Sequence, residues 1–198
     1  GGRFGARGGR VKTVPLFPLN TVLFPGGLLP LRIFETRYID MVRECMRSGG
    51  GFVVVAIRQG TETTAEVDFF DIGTRAEIID WEQRADGLLG ILATGRERVR
   101  VFSHQRRSDG LLVAEVAPVE EWPPLELPLE YASLAGLLDR LLEQLGAPWS
   151  HHERRIGDAA WVVGRLVELL PLDLGIKQEL LQEDDPLRRL QRLRAAMV

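Results

Sequence analysis

The chain has 198 residues, of which 45% are hydrophobic and 27% are charged, and its formal net charge is −3. This balance argues against a protein that binds polyanions through charge alone, and the length fits one large domain or two small ones. The single cysteine, Cys45, excludes an intramolecular disulfide framework and a metal site made only of thiolates. No apolar run approaches the roughly 20 residues of a membrane span. We therefore expect a cytoplasmic location.

The first ten residues, GGRFGARGGR, are mostly glycine and arginine and contain no apolar segment. Such a composition cannot bury enough apolar surface to fold. We interpret residues 1 to 12 as a disordered tail or an expression scar and exclude them from the fold.

Residues 14 to 47 form the most apolar part of the chain and change their hydrophobic period midway. Residues 14 to 19, 21 to 24 and 28 to 33 have the composition of strands, and Pro25-Gly26-Gly27 makes a turn between the last two. From Thr36 onward Tyr38, Val42 and either Cys45 or Met46 recur at helical spacing. The pattern predicts a strand–turn–strand–helix unit at the centre of the fold.

Residues 52 to 116 indicate further strands joined by tight turns. Residues 52 to 57 are continuously apolar, which is typical of a strand buried on both faces, and residues 58 to 65 form a polar loop. Two hairpins follow, with Asp-Gly turns at residues 84 to 87 and 108 to 110. Residues 74 to 81 should point Ala76, Ile78 and either Ile79 or Trp81 inward, and Gly95 should end the next strand. These elements indicate an antiparallel barrel or sandwich, and we favour a small β-barrel over residues 13 to 122 that includes the opening unit.

The period becomes helical after Pro123 and Pro124, a pair that disfavours both strand and helix. A stripe of leucines between residues 134 and 145 predicts one helix, and Asp158 is placed to cap a second. A third is expected over residues 172 to 181, and Asp185-Pro186 signals the start of a fourth. Residues 125 to 198 are thus predicted to form a helical subdomain, which makes the fold class α+β.

Several of these segments resemble one known family. Pro15-Leu16-Phe17-Pro18-Leu19, Leu23-Phe24-Pro25-Gly26, Leu29-Pro30-Leu31-Arg32-Ile33-Phe34-Glu35 and Arg37-Tyr38 are similar to motifs of the Lon protease N-terminal, or LON substrate-binding, domain. The likeness continues at residues 73 to 78, 95 to 101 and 169 to 181. The resemblance implies a PUA-like β-pseudobarrel followed by a helical subdomain. It also implies a role in recognising polypeptide substrates. In Lon proteases this domain precedes an ATPase domain and a protease domain.

The catalytic motifs of those domains are missing from this sequence. A phosphate-binding loop needs two glycines five positions apart, the second directly before a Lys-Ser/Thr pair. Before Lys12-Thr13 these positions hold Ala6 and Val11. The serine–lysine dyad of Lon has no counterpart, because Lys177 belongs to the helical motif. Cys45 has the spacing of a core residue, and His151-His152 has no third ligand placed by spacing. We expect no catalytic residue, metal or cofactor, and we favour a stand-alone domain over a protease fragment.

One surface remains as a candidate site. Large apolar residues lie at or beside the turns of the opening unit, with charged residues next to them, which would suit a polypeptide-binding patch. The candidate residues are Phe24, Pro25, Arg32, Phe34, Glu35, Arg37 and Tyr38. The alternative for Phe24, Pro25, Phe34 and Tyr38 is that they belong to the core.

The sequence therefore favours a non-catalytic module that binds unfolded or partner polypeptides. The alternative is RNA binding, because PUA-like barrels of other families bind RNA. Acidic side chains outnumber basic ones between residues 13 and 124, whereas a nucleic-acid surface should be positive. The basic residues between Arg96 and Arg107 alternate with apolar ones and are interpreted as an exposed sheet face. Nucleic-acid and membrane partners are not expected.

Overall fold

The computed structural model describes residues 11–60 and 66–198 of the chain. The strands in this part are β1 (Lys12–Leu19), β2 (Leu28–Ile33), β3 (Phe52–Gln59), β4 (Asp68–Phe69), β5 (Ile72–Gln83), β6 (Leu89–Arg106) and β7 (Leu112–Pro118). The helices are α1 (Thr36–Ser48), α2 (Ala132–Leu145), α3 (Ala159–Leu169), α4 (Leu174–Gln182) and α5 (Pro186–Ala196). The predicted α+β class is confirmed: a sheet with one embedded helix comes first, and a helical part follows.

Two predicted irregular segments lie partly outside the described residues. The proposed tail covers residues 1 to 12, of which residues 1 to 10 are not described. Its last residue, Lys12, already belongs to β1. The predicted polar loop of residues 58 to 65 includes residues 61 to 65, which are also not described. Its first two residues continue β3, and Arg58 pairs there with Asp68 at 2.8 Å.

The sheet closes on itself as a barrel. Antiparallel pairings connect β1 to β7, β7 to β6, β6 to β5 and β5 to β3. A parallel pairing of β1 with β3, which places Leu16 opposite Val53, completes the ring. β2 pairs with the first half of β6, and β4 pairs with the end of β3. The predicted barrel includes the opening unit, and the parallel closure is the feature that hairpin signals could not show.

β6 is longer than predicted, because Gly95 does not end it. The strand has 18 residues and passes through this glycine. The Gly95 amide donates to the Gly27 carbonyl at 3.0 Å, and the Gly95 carbonyl accepts the Gly26 amide at 2.9 Å. A Cβ at Gly95 would lie 2.2 Å from the carbonyl oxygen of Phe24. Glycine is therefore needed here for close approach of a second backbone.

β3 lies between β1 and β5 in the barrel and is buried along residues 52 to 57. Val53 and Val55 pack in a cluster with side chains of β1, β6 and β7, whereas Phe52 and Val54 pack in a second cluster with α1. Successive strand side chains point to opposite faces, so two cores require a continuously apolar strand. This confirms the prediction of burial on both faces.

The facing of β5 was predicted only in part. Ala76 is buried and Ile78 is half-buried in the cluster under α1, as expected. Ile79 and Trp81, proposed as further inward residues, are 52% and 54% exposed. A register shift between Ile78 and Asp80 breaks the alternation at this point.

Two helices of the helical part, α3 and α5, begin where their sequence signals predict. Asp158 caps α3 by accepting the Ala160 amide at 3.1 Å, and Asp185 caps α5 by accepting the Leu187 amide at 2.9 Å. Leucines, valines and Trp161 from these helices bury a third cluster, which also takes in residues of the barrel such as Phe24. The helical part is therefore packed directly against the barrel.

A buried arginine joins the two parts. Arg98 on β6 was predicted on an exposed sheet face, but its side chain is 1% exposed. Its guanidinium donates to Glu121 at 2.9 Å, to Asp184 at 2.8 Å and to the Leu181 carbonyl at 2.9 Å. These partners come from the segment between β7 and α2, which we call the connector, from the end of α4 and from the loop before α5. They were therefore not visible in the strand pattern.

Candidate functional site

The Phe24–Gly27 loop lies where the barrel meets the helices. Residues 21 to 24 were predicted as a strand, and this is wrong: the segment has no strand pairing among the described residues. Side chains satisfy its backbone instead. The Thr74 hydroxyl donates to the Leu23 carbonyl, and the Phe24 amide donates to the Glu168 carboxylate at 2.9 Å. Distant partners thus replace a β-ladder, although the segment is as apolar as a strand.

Arg165 and Glu168 of α3 hold this loop. The Arg165 guanidinium donates to Glu168 at 2.6 Å and to the Pro25 carbonyl at 2.9 Å, and its side chain is 2% exposed. Burial raises the pKa of the Glu168 carboxyl, and the Arg165 charge opposes that shift. Gly26 has a φ of 85°, and a Cβ there would lie 2.9 Å from the Arg165 guanidinium. Glycine therefore allows both the turn and the close approach of Arg165.

Phe24 and Pro25, two of the predicted binding residues, belong to this junction. Phe24 is 1% exposed; its ring packs on Gly164 of α3 and lies 5.6 Å from the Arg189 guanidinium. Pro25 is half-buried. Of the two alternatives for Phe24, the structure bears out the core, because the helical part covers the turn that the sequence alone leaves open.

The other five predicted residues lie at the end of β2 and the start of α1. Tyr38 is also buried rather than exposed, since its ring stacks on Phe17 at a centroid distance of 4.0 Å. Arg37 is mostly covered; it pairs with Glu35 at 2.9 Å and donates to the Gly110 carbonyl at 3.1 Å.

Two of those five residues offer free surface. Arg32 is exposed, and Phe34 is 63% exposed. Phe24 and Tyr38 pack in different cores, so the structure does not assemble the seven predicted residues into one patch. The exposed remainder is the Arg32–Phe34 corner.

A cleft of about 580 Å³ opens beside the Phe24–Gly27 loop. We call it the junction cleft. It is lined by residues 24 to 26, 94 to 96 and 121 to 124, by the loop before α3, and by the starts of α3 and α5. Its walls therefore come from the barrel, the connector and the helical part together, as is common for binding sites between subdomains.

Two residues that line the junction cleft have a buried nitrogen without a hydrogen-bond partner in the described part of the chain. Arg189 is 4% exposed, and among the described residues its Nη2 has no acceptor. Desolvation, and then the neighbouring charge of Arg98, lower the pKa of Arg189 to about 10. Nδ1 of His152 is likewise unpartnered within the described chain, and its ring lies 5.8 Å from that of Trp161.

The electrostatics of the cleft combine both signs. Arg96, Arg155 and Arg189 line it together with Glu121 and Asp184. Desolvation lowers the pKa of His152, and the nearby Arg165 and Arg155 charges act in the same direction. The arrangement can therefore offer donors and acceptors to a peptide backbone, and it is not selective for one sign of charge.

The sequence reasoning missed most of these residues. Trp122 is 54% exposed at the mouth of the cleft and was interpreted only as part of a domain boundary. Arg165 carried a usable signal, because it and Glu168 are the two charged residues of the otherwise apolar α3. A charge on an apolar stripe usually has a buried partner. Arg189 had no comparable signal among the other arginines of α5.

Other chemistry finds little support in the geometry. Cys45 is 5% exposed, and burial raises the pKa of its thiol to about 11, so a thiolate nucleophile is not formed at neutral pH. In residues 11–60 and 66–198 no group of three or more His, Cys, Asp or Glu is placed to hold a metal ion. None of the helices described is long and apolar enough to cross a membrane.

The exposed arginines of the sheet do not form an isolated positive stripe. Arg96 pairs with Glu77 at 2.9 Å, and Arg100 lies 3.4 Å from Asp71. Both of these positive charges thus have an acid beside them. This arrangement does not favour recognition of nucleic-acid phosphates.

Comparisons with known proteins agree with this architecture. Residues 13–198 match the family model of the ATP-dependent protease La (LON) substrate-binding domain. Lon protease 1 of Bdellovibrio bacteriovorus is 28% identical over 91% of this chain and 24% of its own length. Protein cereblon of Danio rerio is 34% identical over 56% of this chain and 26% of its own length. The chain thus spans about a quarter of these curated relatives.

A solved structure shows the same fold at higher identity. The crystal structure of a Lon N-terminal domain protein from Xanthomonas campestris is 41% identical and superposes with a TM-score of 0.75. The alignment covers 93% of this chain and 98% of that one. The match over nearly the whole chain, together with the barrel and helical part described above, shows that this chain belongs to the LON substrate-binding domain family.

Proposed function

We propose that the chain is a non-catalytic module that binds segments of unfolded or partner polypeptides in the junction cleft. Membership of a family described as substrate-binding supports a recognition role. The observation that carries the proposal is the cleft itself, where an exposed tryptophan, apolar walls and unpartnered donors surround a volume of about 580 Å³.

The lining suits a polypeptide better than a small charged metabolite. Trp122 and Trp161 supply aromatic surface, and tryptophan and arginine are the residues most enriched at binding hot spots. Pro123 and Pro124 add rigid apolar wall without donating backbone hydrogen bonds. Side chains of a bound segment would contact these surfaces.

The unpartnered groups suit the backbone of the same segment. Arg189 lines the cleft, and its Nη2 is buried without an acceptor within the described chain. A shift of this side chain on binding would bring Nη2 to a peptide carbonyl and relieve the cost of leaving the donor unsatisfied. His152 is held towards its neutral form by desolvation. A neutral imidazole can accept from a peptide N–H or donate to a carbonyl.

Binding of fluorescently labelled β-casein, a disordered polypeptide, tests the proposal. We expect Trp122→Ala to weaken its affinity about tenfold, in line with loss of one aromatic hot spot. Arg189→Met should weaken binding similarly while keeping most of the side-chain volume. Both are measured by fluorescence anisotropy after circular dichroism has shown that the variants are folded.

Phe102→Ala is the matched control. Phe102 is 63% exposed on β6, so its replacement removes a comparable apolar surface away from the cleft. Affinity should stay within about twofold of the parent protein. Equal losses for Trp122→Ala and Phe102→Ala, or unchanged binding by both cleft variants, would contradict a site in the junction cleft.

The Arg32–Phe34 corner is proposed as a second contact for long substrates. Its support is the exposure of both side chains next to an apolar turn. Phe34→Ser should weaken β-casein binding about threefold and leave binding of a peptide too short to reach from the cleft unchanged. A loss of the same size for both ligands would contradict this division.

The proposal also states that the bound polypeptide is not cleaved. The sequence lacks the phosphate-binding loop and the serine–lysine dyad, and the thiol of Cys45 is buried. β-Casein incubated with the protein and Mg-ATP should stay intact on denaturing gels. Cleavage that copurifies with the chain would overturn this part of the proposal.

A further inference from the structure

β5 extends beyond its partner on one side. The pairing with β3 covers Thr74, Arg75 and Ala76, and β3 begins at Phe52, opposite Ala76. From residue 77 to residue 83, β5 pairs with β6, and no strand of the described chain covers its other side. This half of β5 is therefore an open sheet edge.

The hairpin that follows shows which backbone groups face the open side. The Arg84 amide donates to the Leu88 carbonyl at 2.9 Å, so this pair is hydrogen-bonded. Bonded and non-bonded pairs alternate in an antiparallel ladder. Glu82 and Asp80 therefore bond to β6, whereas Trp81 and Gln83 point their amides and carbonyls outward. Consistent with this, the Trp81 amide donates to its neighbour Asp80 at 2.9 Å instead of to β6.

The opposite edge of this ribbon is blocked. β2 places Leu29 and Leu31 opposite Ala93 and Ile91, the β6 residues that face away from β5. The same alternation turns Pro30 outward, and proline has no amide hydrogen to offer. Proline on an edge strand is a known protection against pairing with another chain. The β5 edge has no proline between residues 77 and 83.

Apolar side chains border the open β5 edge. Ile79 and Trp81 are 52% and 54% exposed, and Met46 of α1 is 41% exposed. All three line a groove of about 250 Å³ between α1 and β5. We call it the edge groove, and it shares no lining residue with the junction cleft. A strand added at this edge would bring alternate side chains to the groove.

The charged residues of the edge groove are acidic. Glu77 is already paired with Arg75 and Arg96, at 2.8 and 2.9 Å. The Asp80 carboxylate is exposed and accepts a hydrogen bond from the Trp81 amide. No cationic side chain of the described residues lies within ion-pair distance of it. A partner carrying a basic side chain would complement this carboxylate.

We propose that residues 80 to 83 of β5 bind an extended polypeptide segment by β-strand addition. The segment would pair its backbone with Trp81 and Gln83, place an apolar side chain in the edge groove and bring a basic side chain to Asp80. Main-chain pairing supplies affinity in this mode, and alternate side chains supply selectivity. The site goes beyond the proposed function, because it is a second surface with its own recognition chemistry.

The probe is a short fluorescent peptide that alternates valine and lysine. It should bind saturably, and a version with alternate backbone N-methyl groups should not, because it cannot form the ladder. Gln83→Pro should weaken binding about tenfold by removing the outward amide, whereas Gln83→Ala should stay within about twofold. Asp80→Asn should weaken binding of this peptide more than that of a valine–serine peptide.

Three results would overturn the assignment. They are the absence of saturable binding of the valine–lysine peptide, equal binding of the N-methylated peptide, and equal affinities of Gln83→Pro and Gln83→Ala variants that are both folded. A concentration-dependent dimer that Gln83→Pro abolishes would assign the edge to a second copy of this chain and replace the proposal. Arg189→Met, in the junction cleft, should leave binding of the valine–lysine peptide unchanged. The proposal for the junction cleft and the proposal for the β5 edge can therefore fail independently of each other.

Discussion

The replacement Arg98→Met tests whether one buried arginine holds the barrel and the helical part together. Methionine keeps an unbranched apolar stem and removes the guanidinium, which donates to Glu121, Asp184 and the Leu181 carbonyl. We expect the variant to fold with a lower free energy of unfolding.

The expected loss is about 2 kcal/mol. Glu121 and Asp184 are 46% and 50% exposed, so water can replace the arginine and each ion pair contributes only about 0.5 kcal/mol. The Leu181 carbonyl is buried and loses its donor, at a cost of about 2 kcal/mol. Part of this sum is offset, because a guanidinium no longer has to be desolvated.

Urea unfolding followed by helix circular dichroism and by tryptophan fluorescence measures the change. A loss of about 2 kcal/mol corresponds to a melting temperature lower by about 4–8 °C for a chain of this length. Arg100→Met is the matched control two residues along β6. Its side chain is 50% exposed and lies 3.4 Å from Asp71, so its replacement should cost less than about 0.5 kcal/mol.

A double-mutant cycle with Asp184→Asn checks the mechanism. The two replacements should lose less together than the sum of their separate losses, since both remove the same ion pair. The reasoning is refuted if Arg98→Met is no more destabilising than Arg100→Met. Strict additivity with Asp184→Asn would refute the part assigned to that contact.

Three further predictions concern single buried groups. The pKa of His152 lies below its usual 6.5 because of desolvation and then Arg165, so the unfolded chain takes up this proton first as the pH falls. As the pH falls below about 6.5, the free energy of unfolding should therefore decrease less steeply in His152→Gln than in the parent protein. Urea midpoints at several pH values measure this, and equal slopes would contradict it. Burial raises the pKa of Cys45 to about 11, so Ellman's reagent should label the native thiol at least about 100-fold more slowly than the urea-unfolded thiol, and equal rates would disprove the burial. Gly95→Ala should cost about 3 kcal/mol, because its Cβ would lie 2.2 Å from the Phe24 carbonyl oxygen; Gly175→Ala, which meets open space, is its control and should not destabilise.

The local elements were predictable because their causes are local. Asp158 and Asp185 cap helices through amides two residues ahead, and such contacts depend only on neighbouring sequence. The burial of residues 52 to 57 follows from their unbroken apolar character. The family motifs, such as residues 29 to 35 and 73 to 78, are likewise short runs of neighbouring residues. The resemblance and the fold class were therefore both available from the chain.

The candidate site depended on contacts between distant residues. Phe24 looked like an exposed turn residue, yet α3 and Arg189 cover it from more than a hundred positions away. Arg98 looked like one of several arginines that alternate with apolar residues along a strand. Only the approach of Glu121 and Asp184 makes it a buried residue that connects the barrel to the helical part. Sequence spacing carries no information on which side chains such a distance brings together.

The sequence by itself determined most of the strands, the capped starts of α3 and α5, the family and the absence of protease and ATPase motifs, because each rests on residues close together in the chain. The tertiary structure decided that the parallel pairing of β1 with β3 closes the barrel. It also decided that the helical part covers Phe24 and that Trp122 borders a cleft. The physical reason is the same in each case: burial and hydrogen bonding between distant segments depend on how the parts pack, and local propensity does not encode that packing.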